Sequence, residues 1–202
     1  MNLLNFKGES VGVMKPLSGM TRQSPREGGI LSDERGVSAV EFALLAPAVL
    51  LMYIGTVEIG NLLTVERRVE TVASTAADLT AQVKQVSSSD LNNISGASKD
   101  ILYPFDNKPL KIVLSSVVAD QNNNGKVAWS YSNTGGSPRA VGSSYALPSG
   151  TTVANSSVIV AEVTYAFKPL LDIKKVFSPG AFNLQRTFYA RPRRSLTVAY
   201  SP

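Results

Sequence analysis

The sequence has no cysteine and no histidine. The first absence removes disulfides and thiolate metal sites. The second removes the imidazole ligands of most zinc and copper centres and the general base of Ser–His and Cys–His nucleophiles. Charge is also sparse: Asp, Glu, Lys and Arg make up 17% of the 202 residues, against about a quarter in ordinary soluble chains. No P-loop and no G-x-S-x-G is present, and the acids are too scattered to form an acid/base pair. These absences argue against an enzyme, and no cofactor is expected. The net charge of +5 reads as mild solubilising charge, because only one dense basic cluster occurs.

What the chain has is one long apolar run. From Phe42 to Val57 no residue is charged, and Glu41 and Glu58 bracket the stretch. A helix of that length rises about 24 Å, against about 30 Å for a bilayer core. Val37–Val40 on one side and Ile59–Leu63 on the other supply the rest. A cleaved secretory signal does not fit, because residues 1–36 are hydrophilic and no small-residue cleavage site follows the run. Residues 1–36 read instead as a disordered cytoplasmic leader rich in Gly, Ser and Pro, and Met20 offers an alternative start. Pro47, inside the run, removes one helix hydrogen bond. A membrane helix tolerates that, and so does a bundle whose neighbours cover the break.

Glu41 is out of place in such a segment. A carboxylate in hydrocarbon is costly and usually has a partner. In "RGVSAVEF", Gly36 is followed by Val37, by Glu41 five positions on and by the aromatic Phe42. This arrangement resembles a prepilin peptidase site, with cleavage after Gly36 and Val37 as the new N-terminus. The stretch "ERGVSAVEFALLAPAVLLMYIGTVEIG" resembles the N-terminal segment of the TadE-like family, minor pseudopilins of tight-adherence (Tad) pili, a type IV pilus class. The likeness is strongest over Asp33–Gly60, and "VTYAFKPLL" and "YARPRRS" are also similar to the family.

The resemblance implies a pilin-like subunit for cell adhesion and pilus assembly, in which Glu41 pairs with the freed amine of an adjacent subunit. It implies as partners the prepilin peptidase, other pseudopilins, the major pilin, the inner-membrane pilus platform and the lipid bilayer. The implied location is the bacterial inner membrane, single-pass, with the C-terminal domain extracytoplasmic. The alternative is an uncleaved, membrane-anchored periplasmic scaffold of an export or envelope complex.

Beyond Gly60 the pattern becomes amphipathic. Leu62, Val65, Val69, Val72, Ala76, Leu79, Val83 and Val86 recur at spacings of three and four, with polar residues between them. The spacing predicts helix to about Val86, ended by "SSSD". The stripe would pack on the chain's own sheet or form a coiled coil with a partner.

The expected fold is α+β. A long N-terminal helix, its membrane half at 37–60 and its amphipathic half at 61–90, packs on a mainly antiparallel sheet in an extracytoplasmic domain over 91–202. Residues 91–108 read as irregular. Strands are expected at Lys111–Val118, Lys126–Ser132 (Val127, Trp129 and Tyr131 on one face), Ser157–Phe167 and Arg194–Tyr200, with a short one at "RTFYA".

Three segments bear on function. "DQNNNG" places Asp120, Asn122 and Asn124 at the spacing of the first half of a calcium loop, but Tyr131 stands where the closing glutamate belongs. A hairpin turn is therefore expected, and no metal. "FKPLLDIKKVFSPGAF" reads as a cover over the core or a docking loop. Arg191, Arg193 and Arg194 form the basic cluster. They would contact a headgroup or a neighbouring subunit, or protect an edge strand; nucleic acid is disfavoured because few aromatics interleave with them.

Overall fold

The computed structural model describes residues 34–121, 124–133, 135–169 and 182–202. Most of the leader, Asn122 and most of the "FKPLLDIKKVFSPGAF" segment lie outside the described residues. The chain divides into two units, Met1–Ala48 and Val49–Pro202. In the first, the described residues are helical from Glu34 onward, and the helix, α1, is assigned over Glu34–Ala81 with Pro47 inside it.

In the second unit, α1 is followed by β1 (Gln85–Ser87), α2 (Ser88–Asp100), β2 (Leu110–Ala119), β3 (Gly125–Ser132), β4 (Ser144–Tyr145), β5 (Ser157–Phe167), β6 (Phe182–Ala190) and β7 (Ala199–Ser201). The main sheet is antiparallel in the order β4-β3-β2-β5-β6, and β1 pairs with β7 in a separate parallel ribbon. The fold is α+β, with the C-terminal part of α1 packed on one face of the sheet.

That face is set by alternation along β2 and β5. Leu110, Ile112 and Leu114 share it with Ile159, Ala161, Val163, Tyr165 and Phe167, and all join one core with Val65, Val69, Val72, Ala73, Ala76 and Ala77 of α1. The alanines let the helix backbone come close to the sheet, while each buried valine contributes about 1.5–3 kcal/mol. On the opposite face a smaller cluster forms from Val117, Val127, Tyr145, Val158 and Val160.

A register shift between Ser116 and Val117 separates the two faces along β3: Trp129 pairs with Ser116 but Val127 pairs with Val117. Ala128 is the extra residue, and a bulge of this kind inverts the side-chain alternation. Val127 is therefore not on the face of Trp129 and Tyr131 as the spacing predicts. Gly125, where β4 crosses, has no room for a Cβ, which would fall 2.5 Å from the Tyr145 carbonyl oxygen.

The helix ends five residues short of its predicted limit. The chain turns after Ala81, Val83 is exposed, and Val86 is buried from β1. A single inward residue of a short strand thus falls in phase with the helical stripe. "SSSD" begins a helix: the Asp90 N–H donates to Ser87 Oγ (3.1 Å), and the Ser87 N–H donates to Asp90 Oδ2 (2.9 Å). This is a capping box. Leu91, Ser95 and Ser98 are buried along α2, so the segment expected to be irregular is ordered by its cap and one inward face.

The predicted strand at Arg194–Tyr200 shrinks to Ala199–Ser201. The residues before it are used as a strap. The Arg193 N–H donates to the Ala81 carbonyl (2.9 Å), the Ser157 N–H to the Leu196 carbonyl (2.8 Å), and Trp129 Nε1–H to the Val198 carbonyl (2.8 Å). One of these bonds takes up a carbonyl left open at the end of α1. Tyr200 stacks on Trp129 with ring centroids 6.0 Å apart, and its hydroxyl lies 2.7 Å from Ser88 Oγ.

Hydrogen bonds from the Ser87 side chain, and then from its backbone, hold the Asp90 carboxyl below its ordinary 3.8. A depressed carboxylate stabilises the fold above that ordinary value and loses the contribution as the pH falls through the lower folded value. Ser87→Ala should cost about 1 kcal/mol in urea unfolding of the detergent-solubilised chain, followed by the single tryptophan. The stability gap between the native chain and Asp90→Ala should be present at neutral pH and close on acidification.

Candidate functional site

The residues singled out in the sequence fall in three places. The first lies on the opening turns of α1. Val37 and Glu41 are four residues apart and so share a helix face. Gly36 has open space where a Cβ would stand. Val37, Glu41 and Phe42 are exposed, Phe42 at 73%.

Further along the helix, Leu44, Leu45, Val49, Leu50, Leu51, Met52, Tyr53, Ile59 and Leu63 are all exposed. Consecutive residues such as Leu50–Tyr53 point around the full circumference, so no single face is the apolar one. The most apolar window of the helix has a mean hydropathy of 2.1 and buries nothing within the chain. Exposed apolar surface of this extent needs lipid or neighbouring helices around it. Among the described residues this is the one helix long and apolar enough to cross a membrane.

The second place is the amphipathic stripe. Val65, Val69, Val72 and Ala76 are fully buried in the core, Leu62 and Leu79 are half-buried, Val83 is exposed and Val86 sits in β1. Of the two uses open to this stripe, the structure has it packed on the chain's own sheet through its first five positions, and Leu79 lies at the seam's edge beside Phe188.

The third place is the basic cluster, which the fold splits up. Arg191 donates to the carbonyl oxygens of Thr151 and Gly150 (both 2.7 Å), fixing the loop ahead of β5. Arg193 pairs with Asp78 of α1. Arg194 is exposed. A second α1 carboxylate, Glu66, pairs with Arg186 of β6. On the outer face of the sheet Arg139 makes a bidentate pair with Glu162 (2.7 and 2.6 Å) and lies over the Tyr145 ring, 4.7 Å from its centroid. Burial, then a hydrogen bond with Tyr189, pushes the Tyr145 hydroxyl well above the usual phenol range.

The calcium-like spacing is used as a turn. Asp120 Oδ1 accepts the Asn124 N–H (2.8 Å), and the Asp120 N–H donates to the Asn124 carbonyl (3.0 Å). Asn122 lies outside the described residues. Among the described residues no group of three or more acids gathers where a metal ion would sit.

The family model described as TadE-like protein matches residues 36–78. Over these residues, which make up most of α1, the chain is similar to TadE-like proteins. The match begins at Gly36 and takes in both the encircling apolar stretch and most of the one-sided stripe. The sheet lies beyond the match, and so do the segments "VTYAFKPLL" and "YARPRRS". The TadE-like family is a structural one associated with Tad pili. No curated protein and no solved structure matches the chain.

Sequence reasoning missed two features that position the long helix: the α2 cap and the C-terminal strap. The cap was readable as S-x-x-D ahead of a leucine. The strap had no local signal, since its bonds run to carbonyls and amides distant in sequence. If Arg191 serves the loop it binds, Arg191→Ala should speed amide exchange in residues 151–155. It should change global stability by less than about 1 kcal/mol, as expected of an exposed contact, with hydrogen–deuterium exchange as the measurement.

Proposed function

We propose that this chain is a minor pseudopilin, a structural and assembly subunit of a Tad-type pilus. It is inserted in the bacterial inner membrane with its sheet domain outside the cytoplasm. A prepilin peptidase hydrolyses the peptide bond after Gly36: water adds across it, leaving a carboxylate on Gly36 and an ammonium group on Val37. The observation that carries this reading is the family match starting at Gly36, together with a carboxylate on the same helix face as Val37 and an apolar stretch left exposed among the described residues.

The mechanism is assembly. An unpaired carboxylate costs several kcal/mol in hydrocarbon, and a bound ammonium group removes most of that cost. The Val37 amine of one subunit meeting Glu41 of the next would set the axial register of packed helices. Apolar side chains on every side of the helix would then be covered by sister subunits in place of lipid. Other pseudopilins, the major pilin and the membrane platform are the partners such packing requires.

Intact-mass and N-terminal peptide analysis of the membrane-extracted protein should find Val37 as the first residue, and Gly36→Ala should retain the leader. Glu41→Gln should leave cleavage intact while lowering recovery in sheared filaments at least about tenfold, since a register-setting pair of about 1.4 kcal/mol or more is lost. A full-length chain persisting beside an active peptidase would refute the proposal and favour an uncleaved membrane-anchored scaffold.

A further inference from the structure

The main sheet ends at β4 on one side and at β6 on the other, and the two edges are built differently. On the β4 side the edge is bent by the bulge at Ala128 and paired over only two residues. The 135–143 loop closes the rest: the Gly142 N–H donates to the Val127 carbonyl (2.7 Å) and the Arg139 N–H to Ser130 Oγ (3.0 Å). Bulges, short edge strands and covering loops are how sheets avoid adding foreign strands.

Among the described residues β6 has none of these devices. It runs for 9 residues in unbroken register with β5, from Phe182 opposite Phe167 to Ala190 opposite Ile159. It holds no proline and no lysine, and its one charge, Arg186, is taken by Glu66 of α1. Among the described residues, no strand pairs with its outer side and no backbone bond from outside the sheet reaches it. Phe188 is 39% exposed at this edge. A groove of ≈ 300 Å³ lies beside it, lined by Phe188 with Ser74, Thr75, Asp78 and Leu79 of α1. An open edge flanked by a side-chain groove is the arrangement that takes an added strand, with backbone bonds giving affinity and the groove giving selectivity.

Charge decides between occupants. Residues 182–202 contain Arg186, Arg191, Arg193 and Arg194 and no acid. Glu66 and Asp78 neutralise Arg186 and Arg193. Arg191 meets only carbonyl oxygens, and Arg194 has no acidic partner among the described residues. Two uncompensated positive charges therefore follow directly on the open edge. The β6 of a second copy would bring no acid to meet them. A lipid headgroup is remote: the Arg193 N–H sits at Ala81, about 32 Å of helix beyond Gly60 and the end of the apolar stretch.

We propose that β6 is a docking edge for an extended acidic segment of a partner protein. The segment lies along β6 as a further strand, places an apolar side chain in the Phe188 groove, and sets carboxylates against Arg191 and Arg194. This assignment goes beyond the pilus reading and holds whether or not the bond after Gly36 is cut.

The test uses the full chain in detergent and two fluorescent peptides of alternating threonine and valine, one ending in two glutamates and the other in two lysines. Hydrogen–deuterium exchange should show slowed amides in residues 182–190 with the acidic peptide and not with the basic one. Arg194→Glu, a change at an exposed side chain, should weaken the acidic peptide at least about fivefold and abolish the discrimination. Three results would overturn the assignment: no protection of β6, equal protection by both peptides, or protein-concentration-dependent protection without peptide, which would make the occupant a second copy. Unchanged affinity in Arg194→Glu would also overturn it.

Discussion

One helix has to satisfy two solvents, and most of the structure follows from where the change falls. Up to about Leu63 its apolar side chains encircle the axis and most of them are exposed. From Val65 they collapse to one stripe with polar residues on the other faces. Encircling apolar residues exclude water from every side, whereas a stripe excludes it from one and demands a complementary surface there. The sheet supplies that surface with apolar residues at alternate positions of β2 and β5. A shift of either strand by one residue would turn Ile112, Leu114, Ile159 and Val163 away from the helix, so the stripe also fixes the register of the sheet.

The C-terminal residues act as a clasp around this contact. Backbone groups at Arg193, Leu196, Val198 and Ala199 bond to Ala81, Ser157, Trp129 and Lys84 in turn, joining the helix end, the start of β5, the middle of β3 and the approach to β1. Each bond alone is worth about 0.5–1.5 kcal/mol. Together they close a chain with no disulfide to do so. They also explain why the last strand is so short: the Arg193 amide and the Leu196 and Val198 carbonyls already have partners elsewhere, and a long ladder would have to give them up.

What was legible in the sequence was periodic, and what was not depended on distant partners. The apolar run, the Val65–Val69–Val72–Ala76 stripe and the β5 alternation follow from side-chain spacing alone, and the structure places all of them as helix, buried stripe and inward-facing strand. Val86 misled because one strand residue matched the helical phase. Val127 misled because a bulge is invisible to a rule of alternation. α2 went unread although its Ser87–Asp90 box is local, since Leu91 and Ile94 are its only large apolar residues and the segment as a whole is polar. The arginines at 191–194 read as one basic patch because proximity in sequence says nothing of direction; the fold sends one to a loop, one to α1 and one to solvent. The described geometry adds a helix face shared by Val37 and Glu41, and exposure of Gly36, Val37, Glu41 and Phe42, to what their spacing already suggested.

Charge placement shows how the helix finds its seat. The carboxylates that α1 turns toward the sheet edge, Glu66 and Asp78, meet Arg186 and Arg193, more than a hundred residues away in the chain. Partly exposed pairs of this kind add little to stability, so their number is a poor measure of what they do. Their value lies in discrimination. A helix slid by one turn along its stripe would still bury valine and alanine, although a valine would meet the sheet where an alanine had sat. The same slide would carry both acids away from both arginines and leave four charges beside a half-buried seam. The apolar stripe thus holds the helix to the sheet, and the two ion pairs at its flanks choose the position at which it is held.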